Sequence, residues 1–200
     1  MKKVMLSVHP EHVENICTVI GEKNGKPIYK KSIEVRKSRP KIETPFRVFI
    51  YMTAGNASYP IKIDGYPYMC HNNGGQDVIG EFVCDRIDEY NYRLTTFEQV
   101  YDRRHYISKS ELENTCLSIS EINDYLKGNK AYFWHISDLK IYDKPKKLSE
   151  FYRPFPFDKS CTKCERGGTA FDPEDCSCCE LWEKRLIKRP PQSWCYVEGE

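Results

Sequence analysis

The sequence predicts an α+β fold in which a partly open, mixed β-barrel carries several flanking helices. Runs rich in β-branched and aromatic residues recur along the chain, as at residues 46–51 and 78–84, and such runs are typical of strands. Two Ser-x-x-Glu capping boxes mark helices between the later strands. Residues 193–197 form a last aromatic run behind two prolines, which predicts a strand that returns to complete the barrel.

Length and composition favour one domain with an appendage. Two hundred residues with 40% hydrophobic content bury one sizeable core. We therefore expect a barrel domain at residues 1–150, a small cysteine-rich segment at 157–182 and the returning strand within 183–200. The net charge of +2 comes from 31 basic and 29 acidic residues, so any polyanion must bind a local patch. The best candidate is the segment 30–41, which contains several Lys and Arg residues and a single Glu.

The first forty residues predict strand, helix and strand in that order. A short apolar strand ends at His9, Pro10 begins a helix, and Val13 and Ile16 follow at helical spacing. In the next strand Ile33 and Val35 alternate with polar residues, so the apolar pair should point inward. Ser32, Glu34 and Arg36 should then share the opposite face and form a cleft of mixed charge.

Later elements follow from local signals. The strand that starts at Val78 should continue through Tyr90, and residues 54–75 read as a long hairpin or loop because they are rich in Gly, Pro and Asn. Ser108 and Ser118 each begin a capping box, and the second helix should stop near Gly128. Residues 131–142 form the next strand, and 145–156 an extended connector. We expect the strand at 46–51 to pair near the Glu34 strand.

These motifs together resemble the ASCH family of the PUA-like superfamily, and the resemblance extends over most of the chain. Its signature runs Ser-Ile-Lys-Pro, a helix, then Gly-x-Lys-x-x-Glu-x-Arg, and Lys31, Glu34 and Arg36 match the second part. Residues 134–137 (Trp-His-Ile-Ser) and 189–197 closely resemble phage and Firmicute members. His9 departs from the family, which often has Lys there, and residues 21–27 lengthen the turn before the second strand.

The resemblance implies a nucleic-acid or modified-nucleoside ligand. Glu34 would accept hydrogen bonds from a base edge, and Lys31, Arg36, Lys37 or Arg39 would bind phosphate, as in proteins that hold single-stranded RNA. An ion pair in which Glu34 only neutralises its neighbours is an equally consistent interpretation. Further residues that would line the mouth of this cleft are Ser32, Tyr51, Thr53, Trp134 and His135. Trp134 also suits a core position, and His135 a structural hydrogen bond.

The same resemblance suggests a hydrolase as an alternative. One branch of the family hydrolyses the acetyl amide of acetylcytidine, and another has been linked to RNA cleavage. In the acetylcytidine branch a Thr nucleophile stands where this chain has Glu34, which argues against a simple transfer of that activity. Ser32 beside Lys31 is the remaining nucleophile candidate. The sequence does not assign catalytic residues, and we prefer binding over catalysis as the function.

Four cysteines near the end of the chain predict a metal site. Cys161-x-x-Cys164 and Cys176-x-x-Cys179 are separated by eleven residues, and two such pairs supply the four thiolates that a structural Zn²⁺ prefers. Cys178 or Cys195 could replace one ligand. An iron–sulfur cluster, disulfides and unliganded thiols are the alternatives. The remaining cysteines, at 17, 70, 84 and 116, are expected to be small buried hydrophobes.

The sequence also predicts the cellular location of the protein. Ser7, His9 and Glu11 interrupt the first apolar run, which excludes a signal peptide there, and no eighteen-residue apolar span occurs. We therefore expect a soluble, cytoplasmic protein of phage or bacterial type that has no membrane partner. A third hypothesis makes the chain a phage accessory factor whose zinc segment docks another protein.

Overall fold

The computed structural model describes residues 3–55, 60–63, 66–69, 75–93, 96–99, 107–128, 130–154 and 185–198. Its centre is a seven-stranded sheet. The strands of this sheet are β1 (Lys3–Val8), β4 (Ile33–Arg36), β5 (Phe46–Met52), β8 (Asp77–Arg93), β9 (Thr96–Gln99), β10 (Ala131–Lys147) and β11 (Trp194–Val197). Two further pairs form separate hairpins: β2 (Val19–Lys23) with β3 (Lys26–Tyr29), and β6 (Pro60–Ile63) with β7 (Tyr66–Met69).

The order of the sheet is β11-β1-β5-β8-β10-β4, and β9 pairs with β8. β1 and β5 run parallel, whereas the other neighbours are antiparallel. Within the described residues the end strands β4 and β11 do not pair with each other, so the sheet is an open version of the predicted barrel. β8 and β10 have 17 residues each, and their pairing is interrupted by three register shifts. Such irregularities bend and twist long strands, which curves the sheet.

The described residues contain three α-helices: α1 (Pro10–Cys17), α2 (Lys109–Glu113) and α3 (Ile119–Leu126). α1 begins at the predicted proline, where the missing N–H costs nothing. Both predicted capping boxes are confirmed. Ser108 caps α2 and Ser118 caps α3, each bonded to the backbone N–H three residues on, while the Glu at that position bonds back to the cap. α3 ends where Lys127 adopts a left-handed conformation.

The buried side chains form three clusters. The first cluster lies against α1 and includes Leu6, Val13, Ile16, Phe46, Ile50 and Trp134. The second cluster contains Ile33, Val35, Tyr90, Ile122, Leu126, Ala131 and Phe133, and therefore joins α3 to β4, β8 and β10. The third cluster contains Met5, Phe49, Tyr51, Val78, Phe151, Ile187 and Val197. One curved sheet thus supports apolar contacts on both of its faces.

Two local expectations are corrected by the structure. β5 does not pair near β4, because β8 and β10 lie between them and β5 instead joins β1 to β8. The extended connector expected at residues 145–156 begins inside the sheet, since β10 continues to Lys147 and pairs with the start of β8. A single 3₁₀ turn at Leu148–Glu150 follows. Both differences concern long-range pairing, which local patterns do not determine.

Two further results bear on the sequence-based expectations. Residues 21–27, expected as a long turn, form most of the β2–β3 hairpin, whose two turn residues Asn24 and Gly25 are in the left-handed region. No helix among the described residues has the length and apolar character needed to cross a bilayer. The four cysteines of the expected zinc site, with Cys178, lie outside the described residues.

Candidate functional site

The start of β4 is fixed by a distant segment of the chain. The carbonyl oxygen of Asn114 accepts hydrogen bonds from the backbone N–H groups of Ser32 and Ile33, each at 3.1 Å. Ile33 also forms an isolated parallel bridge with Thr115. Since Asn114 follows α2 directly, these bonds hold Lys31 and Ser32 beside the C-terminal end of that helix.

The Lys31 side chain contacts the C-terminal end of α2. Its ammonium group donates a hydrogen bond to the carbonyl oxygen of Glu113, the last residue of α2. A cation is favourable there because the last carbonyl groups of a helix have no partner within the helix. Lys31 is only partly buried, so the ammonium keeps access to the space beside it.

Lys31, Ser32 and Asn114 line a cavity of about 480 Å³. Volumes of this order accommodate small molecules in proteins. The β2–β3 hairpin forms one wall, with Lys26 and Tyr29, and the Tyr29 hydroxyl donates to the carbonyl oxygen of Leu139 at 3.4 Å. We call this space the Lys31 cavity.

The opposite wall of the Lys31 cavity is the edge of β10. The register between β4 and β10 covers only Tyr132 to His135, and the Ile136 N–H then donates to the Ser32 carbonyl at 2.9 Å. β10 continues past the end of β4, and Ser137, Asp138 and Leu139 line the cavity there. The lining residues thus carry two ammonium groups, one carboxylate, three hydroxyls and an amide, together with apolar side chains.

Glu34 and Arg36 are not part of an open cleft. They share a face of β4, as predicted, but both are buried, with 4% and 8% of their surfaces exposed. Arg36 Nη2 lies 2.7 Å from Glu34 Oε1 and also donates to the Ser7 carbonyl at 2.7 Å. The expectation of an exposed mixed-charge face on β4 is therefore corrected: both faces of this strand are covered, one by the second cluster and one by the first.

Two donors on the Glu34 face lack a partner. Trp134 is the cross-strand neighbour of Glu34, and its indole Nε1 is buried without a hydrogen bond within the described residues. The same holds for Nε of Arg36. Unpaired buried N–H groups are costly and rare in folded proteins. These two donors thus retain hydrogen-bonding capacity on the Glu34 face.

A thiol that sequence reasoning assigned to the core lies close to these charges. Cys116 is partly buried, and its Sγ donates to the His12 carbonyl at 3.8 Å. Burial raises the pKa of the Cys116 thiol, the Glu34 carboxylate raises it further, and Lys31 and Arg36 lower it. The net direction is upward, so Cys116 is neutral at physiological pH and is a poor nucleophile.

The structure places the remaining predicted ligand residues apart from the Lys31 cavity. Lys37 and Arg39 are exposed beyond the end of β4, and the Lys37 ammonium lies 4.6 Å from the centre of the Tyr125 ring. Tyr51 belongs to the third cluster and is 1% exposed, so it lies on the other side of β5. Thr53 donates to the Val8 carbonyl through its backbone N–H at 2.9 Å and stabilises the end of β1.

Trp134 and His135 have structural partners. Trp134 is fully buried and packs edge-on against Phe46 with ring centres 5.6 Å apart, so it presents no free face for stacking. His135 Nε2 lies 2.8 Å from Asp88 Oδ2, and Arg86 Nε lies 3.1 Å from the same oxygen. These placements favour the structural interpretation of both residues.

Sequence reasoning missed Asn114 and Glu113, which complete the environment of Lys31. Each contributes a backbone carbonyl, for which side-chain patterns carry no signal. Asn114 also lines the Lys31 cavity, and its side-chain amide donates to the Ser110 carbonyl at 2.8 Å. The carbonyl of Ser7 accepts from Arg36, and its N–H donates to the Ser193 carbonyl at 2.9 Å. Among the described residues, no group of His, Cys, Asp and Glu is arranged to hold a metal ion.

Solved structures with the same fold are ASCH proteins. The chain is similar to a tyrosine-to-phenylalanine mutant of ZmASCH from Zymomonas mobilis, with a TM-score of 0.52 and 18% identity over 99% of this chain and 91% of that chain. It is similar to a serine-to-alanine mutant of the same protein with the same TM-score and identity, over 98% and 89%. No family model and no curated protein matches the chain. The predicted α+β, ASCH-like fold is thereby confirmed at the level of the fold.

Proposed function

We propose that this protein binds RNA or a modified nucleoside in the Lys31 cavity. The observation that carries the proposal is that Lys31 and Ser32, predicted from sequence as ligand residues, line one cavity of about 480 Å³ together with Asn114. Two nearby ammonium groups suit a phosphate, while the hydroxyls, the amide and the β10 backbone suit the edge of a base. The ASCH fold and the resemblance of Lys31, Glu34 and Arg36 to the family signature support the same ligand class.

In this proposal the buried ion pair has a supporting role. Glu34 and Arg36 hold β4 against β1 through the Ser7 carbonyl, and they thereby keep the Lys31 end of β4 in place. Direct ligand contacts come from Lys31, Ser32 and Asn114. Lys26 and Asp138 at the rim adjust the charge of the entrance.

The experiment is fluorescence anisotropy with a labelled single-stranded oligoribonucleotide and competition by the four nucleoside monophosphates. We expect salt-sensitive binding that weakens about tenfold or more in Lys31→Met, which keeps most of the apolar stem and removes the charge. Lys144→Met is the matched control, since Lys144 is exposed on β10 and does not line the cavity. Absence of binding by the wild-type protein, or equal affinity in both variants, would refute the proposal.

Hydrolysis of RNA or of a modified nucleoside is the second candidate. It is favoured by the fact that Lys31 and Ser32 line the same cavity, so a hydroxyl nucleophile and a cation would meet one bound substrate. Incubation of the labelled RNA, or of acetylcytidine, with wild-type protein and with Ser32→Ala tests this directly. Product formation that Ser32→Ala abolishes would make the protein a hydrolase, and intact substrate in both samples would leave it a binding protein.

We also propose a structural zinc ion held by Cys161, Cys164, Cys176 and Cys179. The support is their Cys-x-x-Cys spacing, and four thiolates leave no open position for catalysis.

The kinship with phage and Firmicute ASCH proteins is likewise a proposal from residues 134–137 and 189–197. A protein partner that docks on the zinc segment would make the chain an interaction module, and a Cys161→Ser variant that loses partner binding but keeps RNA binding would identify that role.

A further inference from the structure

The loop after β4 is fastened to the end strand of the sheet by two aromatic side chains. Trp194 Nε1 donates to the Ser38 hydroxyl at 2.9 Å, and the Lys41 backbone N–H donates to the Tyr196 hydroxyl at 2.8 Å. Trp194 and Tyr196 are two residues apart on β11 and therefore point to the same face. These bonds give the loop 38–41 a defined position beside both rings.

The two aromatic rings form a rigid platform. Their centres are 5.5 Å apart with the planes at 75°, and the Trp194 ring also packs against buried Trp134 with centres 6.4 Å apart. Trp194 and Tyr196 are only partly buried, and both contact the first cluster. Both rings are thus anchored in the core and remain partly exposed on β11, the end strand of the sheet.

Positive charge surrounds this platform. Lys37, Arg39 and Lys41 are exposed on the loop, and Lys188 and Arg189 are exposed on the segment that leads into β11. Residues 35–42 and 188–197 contain no Asp or Glu. None of these five cations forms an ion pair with another described residue. The local charge is therefore far more positive than the net charge of +2 indicates.

We propose that Trp194, Tyr196, Arg39 and Lys41 form a surface that binds single-stranded RNA outside the Lys31 cavity. Bases would stack on the exposed ring faces while Arg39 and Lys41 contact phosphates, which is how sequence-tolerant single-strand binding is commonly built. The proposal rests on the proposed function, because it extends the binding site of the same RNA. We call this surface the Trp194 platform.

Hydrogen bonds to the backbone of Ser7 connect the Trp194 platform with β4, which begins beside the Lys31 cavity. The Ser7 carbonyl accepts from Arg36 on β4, and the Ser7 N–H donates to the carbonyl of Ser193, the residue before Trp194. The loop that carries Arg39 also leaves β4 directly. A strand of RNA that engages Lys31 at one end of β4 would meet the basic loop at the other end.

The test compares two double charge reversals. Arg39→Glu/Lys41→Glu changes two exposed cations of the platform, and Lys127→Glu/Lys144→Glu changes two exposed cations at the end of α3 and on β10 with the same effect on net charge. The probe is a labelled twelve-nucleotide uridine oligomer, measured at several salt concentrations. We expect the platform variant to bind about tenfold more weakly or worse, and the salt slope to fall by about 1.4 if two phosphate contacts are lost. Equal loss in both double variants would overturn the proposal.

Trp194→Phe provides a second, spectroscopic readout. Phe keeps an aromatic ring against the first cluster, so the fold should survive, while the indole that stacks on a base is removed. Because Trp182 would also contribute to the emission, both proteins carry Trp182→Phe. We expect the oligomer to quench the tryptophan fluorescence of the protein that retains Trp194 and to quench the Trp194→Phe variant much less, since its remaining Trp134 is fully buried. Equal quenching in the two proteins would show that bases do not stack on Trp194.

Ligand length separates this proposal from the proposed function. Nucleoside monophosphates fit only the cavity, so their affinity should be the same in wild type and in Arg39→Glu/Lys41→Glu. If the wild-type protein binds neither the monophosphates nor the oligomer, the proposed function fails. If it binds both and the platform variant matches its control, only the Trp194 platform fails.

Discussion

The guanidinium of Arg36 lies 2.7 Å from the carboxylate of Glu34, and both side chains are enclosed by the protein. Arg36 also donates to the Ser7 carbonyl on β1, although β1 and β4 are separated by three strands in the sheet. The pair therefore links the two sides of the curved sheet across its interior. It stabilises the geometry in which Lys31 reaches the end of α2.

Removing one member of this pair should destabilise the protein strongly. Glu34→Ala leaves a buried guanidinium without its counter-charge, which typically costs about 3–5 kcal/mol. We expect urea-induced unfolding, followed by circular dichroism, to show a loss of this size. Lys37→Ala is the matched control, because Lys37 is exposed on the same segment, and it should change stability by less than about 1 kcal/mol. A Glu34→Ala variant as stable as the control would contradict the assigned burial.

The Asp88–His135 contact predicts a pH-dependent contribution to stability. Burial acts to raise the pKa of Asp88, but the hydrogen bond and charge of His135 and the charge of Arg86 outweigh it, and the net pKa is lowered. A lowered folded-state pKa means that the stabilisation is present above the unfolded value of about 3.9 and is lost as the pH falls through the folded value.

We therefore expect Asp88→Asn to lose about 1.5–3 kcal/mol at pH 7, the range for hydrogen bonds to charged groups. The difference from wild type should shrink as the pH falls below about 4. Denaturant titrations at a series of pH values measure this, with Asp143→Asn, an exposed carboxylate on β10, as the control. A loss of equal size at every pH would assign the effect to packing instead of charge.

Gly80 marks the closest approach of β8 and β10. A Cβ there would lie 2.5 Å from the Lys140 carbonyl oxygen and 3.2 Å from the Ile141 Cα, and both neighbours are backbone atoms that cannot rotate away. Gly80→Ala should cost at least about 2 kcal/mol in unfolding free energy, as overpacking of a dense site does. Gly21→Ala should be nearly neutral, because its nearest neighbour is a side-chain atom at 3.9 Å. Similar stabilities for the two variants would contradict the strand pairing.

Metal analysis tests the zinc proposal. We expect about one zinc per chain by elemental mass spectrometry, loss of the metal in Cys161→Ser, and retention in Cys195→Ser. Removal of the metal with a chelator should lower the melting temperature, because metal binding contributes to folding when the ligands are brought together only in the folded chain. Iron instead of zinc, or a full complement of metal in Cys161→Ser, would contradict the assignment.

Local signals in the sequence predicted much of the fold. The capping boxes at Ser108 and Ser118, the helix at Pro10 and the inward packing of Ile33 and Val35 on β4 were all predicted correctly, because each depends on residues close together in the chain. The side of the sheet on which Tyr51 lies could not be predicted in this way. β5 is apolar on both sides, so its sequence contains no alternation to show which residues face the Glu34 side.

The candidate site was predictable in part. Lys31 and Ser32 were predicted as ligand residues; they line the cavity, and their contact with a ligand stays a prediction. The burial of Glu34 and Arg36 was not foreseen, since a charged pair in an alternating strand usually faces solvent and only long-range packing encloses it. Asn114 contributes through a backbone carbonyl from a segment about eighty residues away in the chain, and such contacts depend on topology.

Photocrosslinking tests the central claim most directly. A single-stranded oligoribonucleotide that carries 4-thiouridine would be irradiated with the protein, and the crosslinked peptides would be mapped by mass spectrometry. We predict crosslinks to the peptides that contain Lys31–Ser32, Asn114 and residues 136–139, and competition by unlabelled RNA should remove them. Crosslinks confined to other parts of the chain would contradict the assignment of the Lys31 cavity as the RNA site.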